Sequence, residues 1–381
     1  MIKKRYLFSP GPTPIPEKVL AVASEPIFHH RTPEFSKILR EVSEELKYLF
    51  QTGEDVYSLT ASGTGAMEAA VANILSPGDH VLVINTGKFS ERWARIARTY
   101  GAAVAEEIVD WGEDYPPEQL QHALNQNRKI KAVFCTLSET STGALYDIRG
   151  FGRLLHKTDI LLVVDGISGV GAVPCPMDEW NIDVLITASQ KSLMTPPGLA
   201  YISLNRKAWA AAERSTSPRF YFDLKSYRKN LEEDTTPFTP PISLLVQQHE
   251  ALKLIRTLTL EGLIDHHRHL ANATRAAVRA IGLDLLARNP ANGLTAVRTP
   301  EGLDGRQLVN TMQTKYMAHI ASAQAPHQGE FFRISHLGYM AGFDVLTVIS
   351  ALEMTLKEMG YGFVFGSGII AAQQTLQESW E

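Results

Sequence analysis

Three short polar segments carry the residue types on which a chemical function could rest. Residues 62–65 (Ser-Gly-Thr-Gly), Asp165 and Lys191 each stand at or just after the end of an apolar run of the kind that predicts a β-strand. In open α/β sheets, ligands bind at the carboxyl ends of the strands. The three segments therefore predict one ligand site at the edge of a sheet.

The segment 62–65 is suited to an anion. Its small residues leave backbone N–H groups free where a helix is predicted to begin, and the helix dipole favours a phosphate there. An ordinary strand-to-helix turn explains the same residues equally well. The segment is not a dinucleotide fingerprint, because Glu68 stands where a third Gly or Ala is required. Residues 87–90 are not a P-loop, because Leu82 and Phe89 replace the required Gly and Ser or Thr.

Asp165 and Lys191 each have a functional and a structural interpretation. A carboxylate directly after an apolar run is costly to bury unless it meets a cation or a hydrogen-bond donor, although Asp165 could simply cap the turn at Gly166. Lys191 precedes the segment 196–198 (Pro-Pro-Gly). Burial there would lower its pKa from about 10.4 and suit a nucleophilic amine, whereas a lone lysine is more often on the surface.

One ligand explains the combination. Pyridoxal phosphate links covalently to a lysine, carries a phosphate, and needs an acid beside its pyridine nitrogen. The segment 62–65, Asp165 and Lys191 supply the three matching groups, in that chain order. The sequence therefore predicts pyridoxal phosphate as the cofactor.

The elements that must position these residues follow an α/β rhythm. Apolar runs alternate with helical patterns, which predicts a mostly parallel sheet between layers of helices. The runs are residues 56–61, 81–85, 104–109, 132–136, 160–165 and 184–188. An amphipathic stretch at 35–50 precedes them. We expect the sheet to form the interior of a large domain.

The chain ends differ from this pattern. Residues 8–16 are rich in proline and predict an extended arm lying over another part of the molecule. A long helical pattern at 252–280 and short strands near 294–297 and 331–335 predict a smaller α+β domain. The expected organisation is an arm at 1–16, a large cofactor-binding domain at 17–254 and a small C-terminal domain at 255–381.

Composition excludes several classes of protein. The 381 residues carry a formal net charge of −4, which offers no basic surface for nucleic acid or for a membrane. Two cysteines cannot form a disulfide framework, and no run of eighteen apolar residues occurs. These features predict a cytoplasmic protein that acts on small molecules.

Histidine clusters do not predict a metal site. His29 and His30 could approach the active site from a mobile N-terminal part. His266, His267 and His269 fall in a polar helical stretch without a cysteine or a carboxylate cage, so we expect them to be solvated and predict no metal.

Several motifs, spread over nearly the whole chain, repeat a known arrangement. They are residues 8–12 (Phe-Ser-Pro-Gly-Pro), 29–35 (His-His-Arg-Thr-Pro-Glu-Phe), 139–143 (Glu-Thr-Ser-Thr-Gly), 189–191 (Ser-Gln-Lys) with 196–198 (Pro-Pro-Gly), and 332–334 (Phe-Arg-Ile). In this order they resemble the class V aminotransferases of fold type I, specifically the serine:pyruvate and alanine:glyoxylate branch. The resemblance implies the pyridoxal phosphate transferase fold of type I, in which the large domain has a mostly parallel sheet of a seven-stranded type.

The resemblance also implies roles for individual residues. Lys191 would hold the cofactor covalently, and Asp165 would pair with its protonated ring nitrogen. Phe89 would stack on the ring with Ile167 packing behind it, and Thr140 would bond the phenolic oxygen. The residues implied to hold the phosphate are Ser62, Gly63, Thr64 and Gln190.

Further implied roles concern the substrate and a second subunit. Arg333 would bind the substrate carboxylate through its two-pronged guanidinium, and Gly11 would be a second substrate-binding residue. Thr235 would reach the phosphate site of a neighbouring subunit, which implies a homodimer with shared sites. Thr64 stands where animal members carry a histidine, and Glu232 where they carry an aromatic residue.

The implied reaction is a ping-pong transamination from alanine or serine to glyoxylate or pyruvate. The donor amine would displace Lys191, whose freed amine would then take the Cα proton. A desulfurase needs a reactive cysteine on a mobile loop, but Cys135 lies in a predicted core strand and Cys175 lies between two prolines. A non-catalytic subunit acting through a protein partner is a further alternative. A nucleotide-binding oxidoreductase is disfavoured because both phosphate-loop fingerprints fail.

Overall fold

The computed structural model describes residues 4–378 as an α/β protein. The strands are β1 (Tyr6–Leu7), β2 (Val56–Thr60), β3 (His80–Asn85), β4 (Ala103–Ile108), β5 (Ile130–Thr136), β6 (Ser138–Glu139), β7 (Ala144–Leu145), β8 (Leu161–Asp165), β9 (Val184–Ala188), β10 (Leu199–Leu204), β11 (Leu294–Arg298), β12 (Ala318–His319), β13 (Ala321–Ser322) and β14 (Phe331–Ser335). The helices are α1 (Glu17–Ala21), α2 (Pro33–Phe50), α3 (Gly63–Ile74), α4 (Ser90–Thr99), α5 (Pro117–Gln126), α6 (Ile148–Leu155), α7 (Arg206–Arg214), α8 (Leu224–Leu231), α9 (Ile242–Leu258), α10 (Leu260–Ala280), α11 (Gly305–Thr314), α12 (Gly342–Glu358) and α13 (Ser367–Glu378), with a 3-10 turn at Val22–Ser24.

A seven-stranded sheet in the order β2-β10-β9-β8-β5-β3-β4 forms the centre of the molecule. Its strands are parallel except β10, which runs antiparallel to both β2 and β9. The predicted fold class is therefore confirmed. The sequence rhythm missed β10 because only a short connection, without a helix, separates it from β9.

Helices cover both faces of this sheet, which explains why its strands are apolar throughout. In β8, Leu162 and Val164 pack into one core, while Leu161 and Val163 pack into a second core on the opposite face. Successive side chains of a strand point to opposite faces, so a strand buried on both faces must be apolar at every position. All five residues of β8 are buried, including the terminal Asp165.

The polar segments meet at one edge of the sheet. Asp165 pairs in register with Ile186 of the neighbouring β9, whose end leads to Lys191. The antiparallel β10 starts beside the ends of β2 and β9, with Leu199 opposite Thr60 and Ala200 opposite Ala188. The start of α3 and the turn before β10 therefore share the edge that holds the lysine and the aspartate.

A separate core lies among β11, β14 and the helices α10 to α13. The N-terminal segment contributes to it: β1 pairs with β12, Phe8 is buried, and the Phe8 carbonyl accepts a hydrogen bond from Ser335 N at 2.9 Å. Helix α10 spans two cores, because Leu263 packs with the large core and Leu270 with this one. The division of the chain at residues 16 and 254 stays a prediction.

Two expectations about residues 252–280 are wrong. The helical pattern is two helices, α9 and α10, because Thr259 adopts a left-handed φ of 63° and its hydroxyl caps α10 by accepting from Gly262 N at 3.1 Å. His267 is not solvated but fully buried. Its Nδ1 contacts the Leu263 carbonyl at 2.8 Å, and its Nε2 accepts from Gly338 N at 3.0 Å.

The described part of the chain contains neither a membrane-spanning helix nor a cluster of metal-binding side chains. No helix between residues 4 and 378 is long and apolar enough to cross a membrane. Over the same residues, no group of three or more His, Cys, Asp or Glu side chains could hold a metal ion.

Burial of His267 should make stability depend on pH. Burial, assisted by His266, lowers its pKa from 6.5 to about 4. Between these two values the unfolded chain binds a proton that the native state does not. The free energy of unfolding should therefore fall as the pH drops from 6.5 towards 4, by about 3 kcal/mol from this residue. Urea unfolding at a series of pH values measures the change.

The matched variants are His267→Gln and His269→Gln on the same helix. Burial also lowers the pKa of His336, so both variants keep the part of the pH dependence that comes from that residue. His267→Gln should flatten the decline of stability between pH 6.5 and 4, whereas His269→Gln, at a partly exposed position, should not. Equal pH dependence in the wild type and His267→Gln would contradict the assignment.

Candidate active site

A cavity of about 270 Å³ opens at the edge of the sheet where the polar segments meet. It brings together most of the residues predicted from the sequence: Gly11, Ser62, Gly63, Thr64, Phe89, Thr140, Asp165, Ile167, Gln190 and Lys191. Further lining residues, for which no role was predicted from the sequence, are Pro12, Arg92, Ser138, Ser168 and Pro197. Arg333 and Thr235 do not line it.

Lys191 lies in the turn that follows β9 and is only 8% exposed. Its ammonium group donates to the Pro10 carbonyl of the N-terminal segment. Burial lowers its pKa to about 8, with Asp165 opposing the shift and the positive Arg333 adding to it. An amine with a pKa this close to neutrality is available as a nucleophile and as a base.

The N-terminal segment covers this lysine closely. Gly11 has a φ of +136°, and a Cβ added there would overlap Lys191 Nζ, so a side chain larger than hydrogen does not fit. Thr13 fixes the next stretch because its hydroxyl donates to the Lys191 carbonyl at 3.0 Å. The predicted arm therefore lies directly over the nucleophile.

Asp165 is buried beside the lysine at the end of β8. Its Oδ1 accepts a hydrogen bond from Ile167 N at 2.8 Å. Burial raises its pKa to about 7 and Glu139 adds to the rise, while Ile167 N, Lys191 and Arg92 oppose it. A cationic donor, such as a protonated pyridine nitrogen, stabilises the ionised form of a buried carboxyl group whose pKa is raised in this way.

The opposite end of the cavity fits a phosphate. Ser62 is the N-cap of α3 but makes no side-chain capping bond, so the first N–H groups of the helix lack a side-chain acceptor. A Cβ on Gly63 would overlap the Ile167 side chain, so only glycine allows this close approach. Gln190 also lines the cavity, and its side-chain amide N–H groups can donate to a phosphate. The residues present therefore fit pyridoxal phosphate.

A buried acid, Glu139, holds Phe89 in place, and no role was predicted for it from the sequence. The Glu139 carboxylate accepts from Phe89 N at 3.2 Å, from Ser90 N at 2.9 Å and from Ser141 N at 3.1 Å. It therefore satisfies the first N–H groups of α4 and fixes the loop after β6 with one side chain. Its position next to Thr140, in a motif found in the sequence, was the signal that could have revealed it.

Thr140 connects the cavity to Arg333. The Thr140 and Ser168 hydroxyls lie 2.6 Å apart, and the Thr140 carbonyl accepts from Arg333 Nη1 at 2.9 Å. Arg333 Nη2 donates to the Ser322 carbonyl at 2.7 Å, while the buried Nε has no partner among the described residues. Arg333 therefore lies behind the cavity wall, with its Nε–H unpaired among the described residues.

Thr235 lies outside the cavity of its own chain. Its hydroxyl is hydrogen-bonded by Arg31, and the adjacent Asp234 accepts from Arg40 Nε at 2.9 Å. His29 and His30 contact each other, with ring centroids 4.6 Å apart, and do not line the cavity either.

A buried lysine and aspartate at adjacent strand ends of a mostly parallel sheet define a pyridoxal phosphate enzyme of fold type I. The chain belongs to the class-V aminotransferase family, whose model matches residues 5–322. The soluble hydrogenase small subunit of Synechococcus sp. strain PCC 6716 is 40% identical over 99% of both chains. The serine–glyoxylate aminotransferase of Methylorubrum extorquens is 34% identical over 99% of this chain and 97% of its own.

A solved structure gives the same result for the fold. The ureidoglycine–glyoxylate aminotransferase of Bacillus subtilis matches with a TM-score of 0.93 and 29% identity, over 99% of both chains. The resemblance noted in the sequence is therefore confirmed, and with it the expected cofactor, pyridoxal phosphate.

Replacing Glu139 by Gln should destabilise the protein. The amide presents N–H groups to backbone N–H donors, so at least one buried donor loses its acceptor, at a cost of about 1 to 3 kcal/mol. Urea unfolding of the cofactor-free protein measures this loss. Glu91→Gln is the control, because Glu91 is a more exposed carboxylate on α4, the helix whose first N–H groups Glu139 binds. It pairs with Lys88, and its replacement should cost less than about 1 kcal/mol. Similar losses in the two variants would contradict the role given to Glu139.

Proposed function

We propose that this aminotransferase moves the amino group of alanine or serine to glyoxylate or pyruvate by a ping-pong mechanism. The observation that carries the proposal is the pairing of Lys191 and Asp165 in one buried cavity, with their pKa values moved towards neutrality. The relatives named above include enzymes whose printed names give glyoxylate as a substrate.

The cavity residues suit each part of pyridoxal phosphate. Lys191 would hold it covalently, Asp165 would accept a hydrogen bond from its ring nitrogen, and the start of α3 would bind its phosphate. Phe89 and Ile167 offer apolar surface to the ring. When bound, this cofactor supplies the electron sink that makes the Cα–H bond of an amino acid acidic.

The protein then has to move one proton. Once released from its covalent link, Lys191 Nζ takes the proton from the donor's Cα and later returns a proton on the acceptor side. A pKa of about 8 suits both directions near neutral pH, because neither protonation state is strongly disfavoured. Pro10 and Thr13, which bond the lysine and its backbone, keep water away from this amine.

Substrate size and charge agree with the proposal. The cavity has a volume of about 270 Å³ before any cofactor occupies it, so little room remains for a long side chain. Arg333 is our candidate for binding a substrate carboxylate: its buried Nε has no partner among the described residues, its Nη1 donates to the Thr140 carbonyl at the cavity wall, and a change of side-chain rotamer would present its fork.

A half-reaction tests this function directly. Adding alanine or serine alone to the holoenzyme should change its visible absorbance from that of the aldehyde form to that of the amine form, and glyoxylate or pyruvate should restore it. A panel of longer and of acidic amino acids serves as the comparison. No spectral change with any small donor would contradict the proposed reaction.

Lys191→Ala is the matched variant. It should bind the cofactor without the covalent link, and borohydride should trap the cofactor on the wild-type protein only. Turnover should fall by several orders of magnitude, since the variant lacks the only group assigned to move the proton. Wild-type steady-state rates in Lys191→Ala would contradict the assignment.

Two rival functions agree less well with the site. Burial raises the pKa of Cys175 to about 12, and Cys135 is fully buried in β5, so neither is poised for desulfurase chemistry. The second rival is a non-catalytic subunit that acts through a protein partner, and one relative is named as a subunit of a soluble hydrogenase. The intact pair of Lys191 and Asp165 favours catalysis.

We further propose a homodimer with shared sites. Thr235 lies on the surface beside an exposed aromatic group, in which the Phe238 ring is 5.7 Å from Phe220 and 4.9 Å from Tyr221. Phe220 is 81% exposed, and exposed aromatic clusters are typical of interfaces. In such a dimer Thr235 would complete the partner's phosphate site.

Subunit complementation tests the dimer. Thr235→Asp should repel the phosphate of the neighbouring subunit, and Lys191→Ala disables its own site. Mixed dimers of the two inactive variants contain one site with both residues intact, so they should regain about half of the wild-type activity. Fully active protein with the mass of a monomer, or no recovery in mixed dimers, would contradict the shared site.

A further inference from the structure

Arg92 is a cation of the cavity that the proposed function does not use. It lies on α4, three residues after Phe89, and it lines the cavity together with Ser62, Gly63 and Thr64. Its Nη1 donates to the Thr64 hydroxyl at 2.7 Å. Its guanidinium carbon lies 5.2 Å from the centroid of the Phe89 ring. The side chain therefore spans the two ends of the site.

Arg92 makes no direct ion pair among the described residues, although its charge helps to oppose the rise in the pKa of Asp165. Two nearby cations are paired, Lys88 with Glu91 at 2.9 Å and Arg98 with Glu106 at 2.5 Å, and Arg95, which forms no ion pair among the described residues, is exposed to solvent. Arg92 forms no ion pair with any acidic side chain between residues 4 and 378. A guanidinium carries five N–H donors, of which Arg92 uses one among residues 4–378. Its remaining donors and its positive charge are available to an anion.

The Thr64 hydroxyl points to the same ligand. It accepts from Arg92, so its own hydrogen is free to be donated. Thr64 is the second residue of α3, and its backbone N–H belongs to the free first turn of that helix. An anion bound at the start of α3 would thus accept hydrogen bonds from backbone N–H groups, from the Thr64 hydroxyl and from the Arg92 guanidinium.

We infer that Arg92 is a cofactor-binding residue whose guanidinium donates to the phosphate of pyridoxal phosphate at the start of α3. Thr64 orients it through the hydrogen bond, and Phe89 holds its flat face by a cation–π contact. The inference rests on the proposed function, because it requires the phosphate to lie at residues 62–64. It adds a charge-assisted contact from within the same chain.

Two ligands that differ only in the phosphate test this role. Pyridoxal phosphate and pyridoxal are titrated separately into the cofactor-free protein, with formation of the visible absorbance band as the signal. Arg92→Gln should weaken the affinity for pyridoxal phosphate by about 10-fold to 100-fold, the cost of a lost charge-assisted hydrogen bond. The affinity for pyridoxal should change by less than about threefold.

Matched variants separate charge from structure. Arg95→Gln removes an exposed arginine from the same helix and should leave both affinities unchanged. Arg92→Lys keeps the charge but loses the planar fork, so its affinity for pyridoxal phosphate should lie between those of the wild type and Arg92→Gln. Inorganic phosphate should raise the melting temperature of the cofactor-free wild type more than that of Arg92→Gln.

The outcomes are distinguishable. Equal losses for pyridoxal phosphate and pyridoxal in Arg92→Gln would show that Arg92 only supports Phe89 and Thr64, and would overturn the inference. Unchanged affinity for pyridoxal phosphate would overturn it as well. Failure of the wild-type protein to bind pyridoxal phosphate at all would instead overturn the proposed function.

Discussion

The burial of two opposite charges at neighbouring strand ends is the constraint on which this structure depends. Asp165 and Lys191 lie almost fully out of water, and each partly offsets the cost of burying the other. Neither charge is fully satisfied by protein groups, since the carboxylate accepts one backbone hydrogen bond and the ammonium donates to one carbonyl. A ligand that supplies groups complementary to this carboxylate and this amine would therefore stabilise the folded protein when it binds.

The rest of the fold maintains that arrangement. A sheet buried on both faces gives rigid strand ends, so side chains at its edge are held more firmly than loop residues would be. Buried polar groups then fix the loops between those ends. Glu139 ties the loop of Phe89 to that of Thr140, and Thr140 in turn accepts from Arg333. The cavity wall is thus a connected hydrogen-bond network rather than a set of independent side chains.

The residues that carry the chemistry of the site could be predicted from the sequence, whereas most of the residues that hold them in place could not. Lys191, Asp165 and the segment 62–65 were identifiable because each follows an apolar run, and the carboxyl ends of parallel strands share an edge. Arg92 carried no such signal, since an arginine in an amphipathic helix is typical of a solvated surface. His267 likewise lies in a polar stretch, and only the tertiary packing of Gly338 against it decides that it is buried. Strand β10 was missed because no helix separates it from β9, so it falls outside the alternation of strands and helices that indicated the other strands.

The packing of Phe8 makes the cover over the nucleophile depend on distant parts of the chain. The segment that covers Lys191 precedes the central sheet in the sequence, yet Phe8 is buried in a core that also contains Leu352 of α12 and Leu376 of α13. A change that loosens the packing of those two helices also weakens the anchor of the segment whose Pro10 carbonyl holds the lysine. Damage far from the cavity can in this way uncover the amine without altering any residue that lines it.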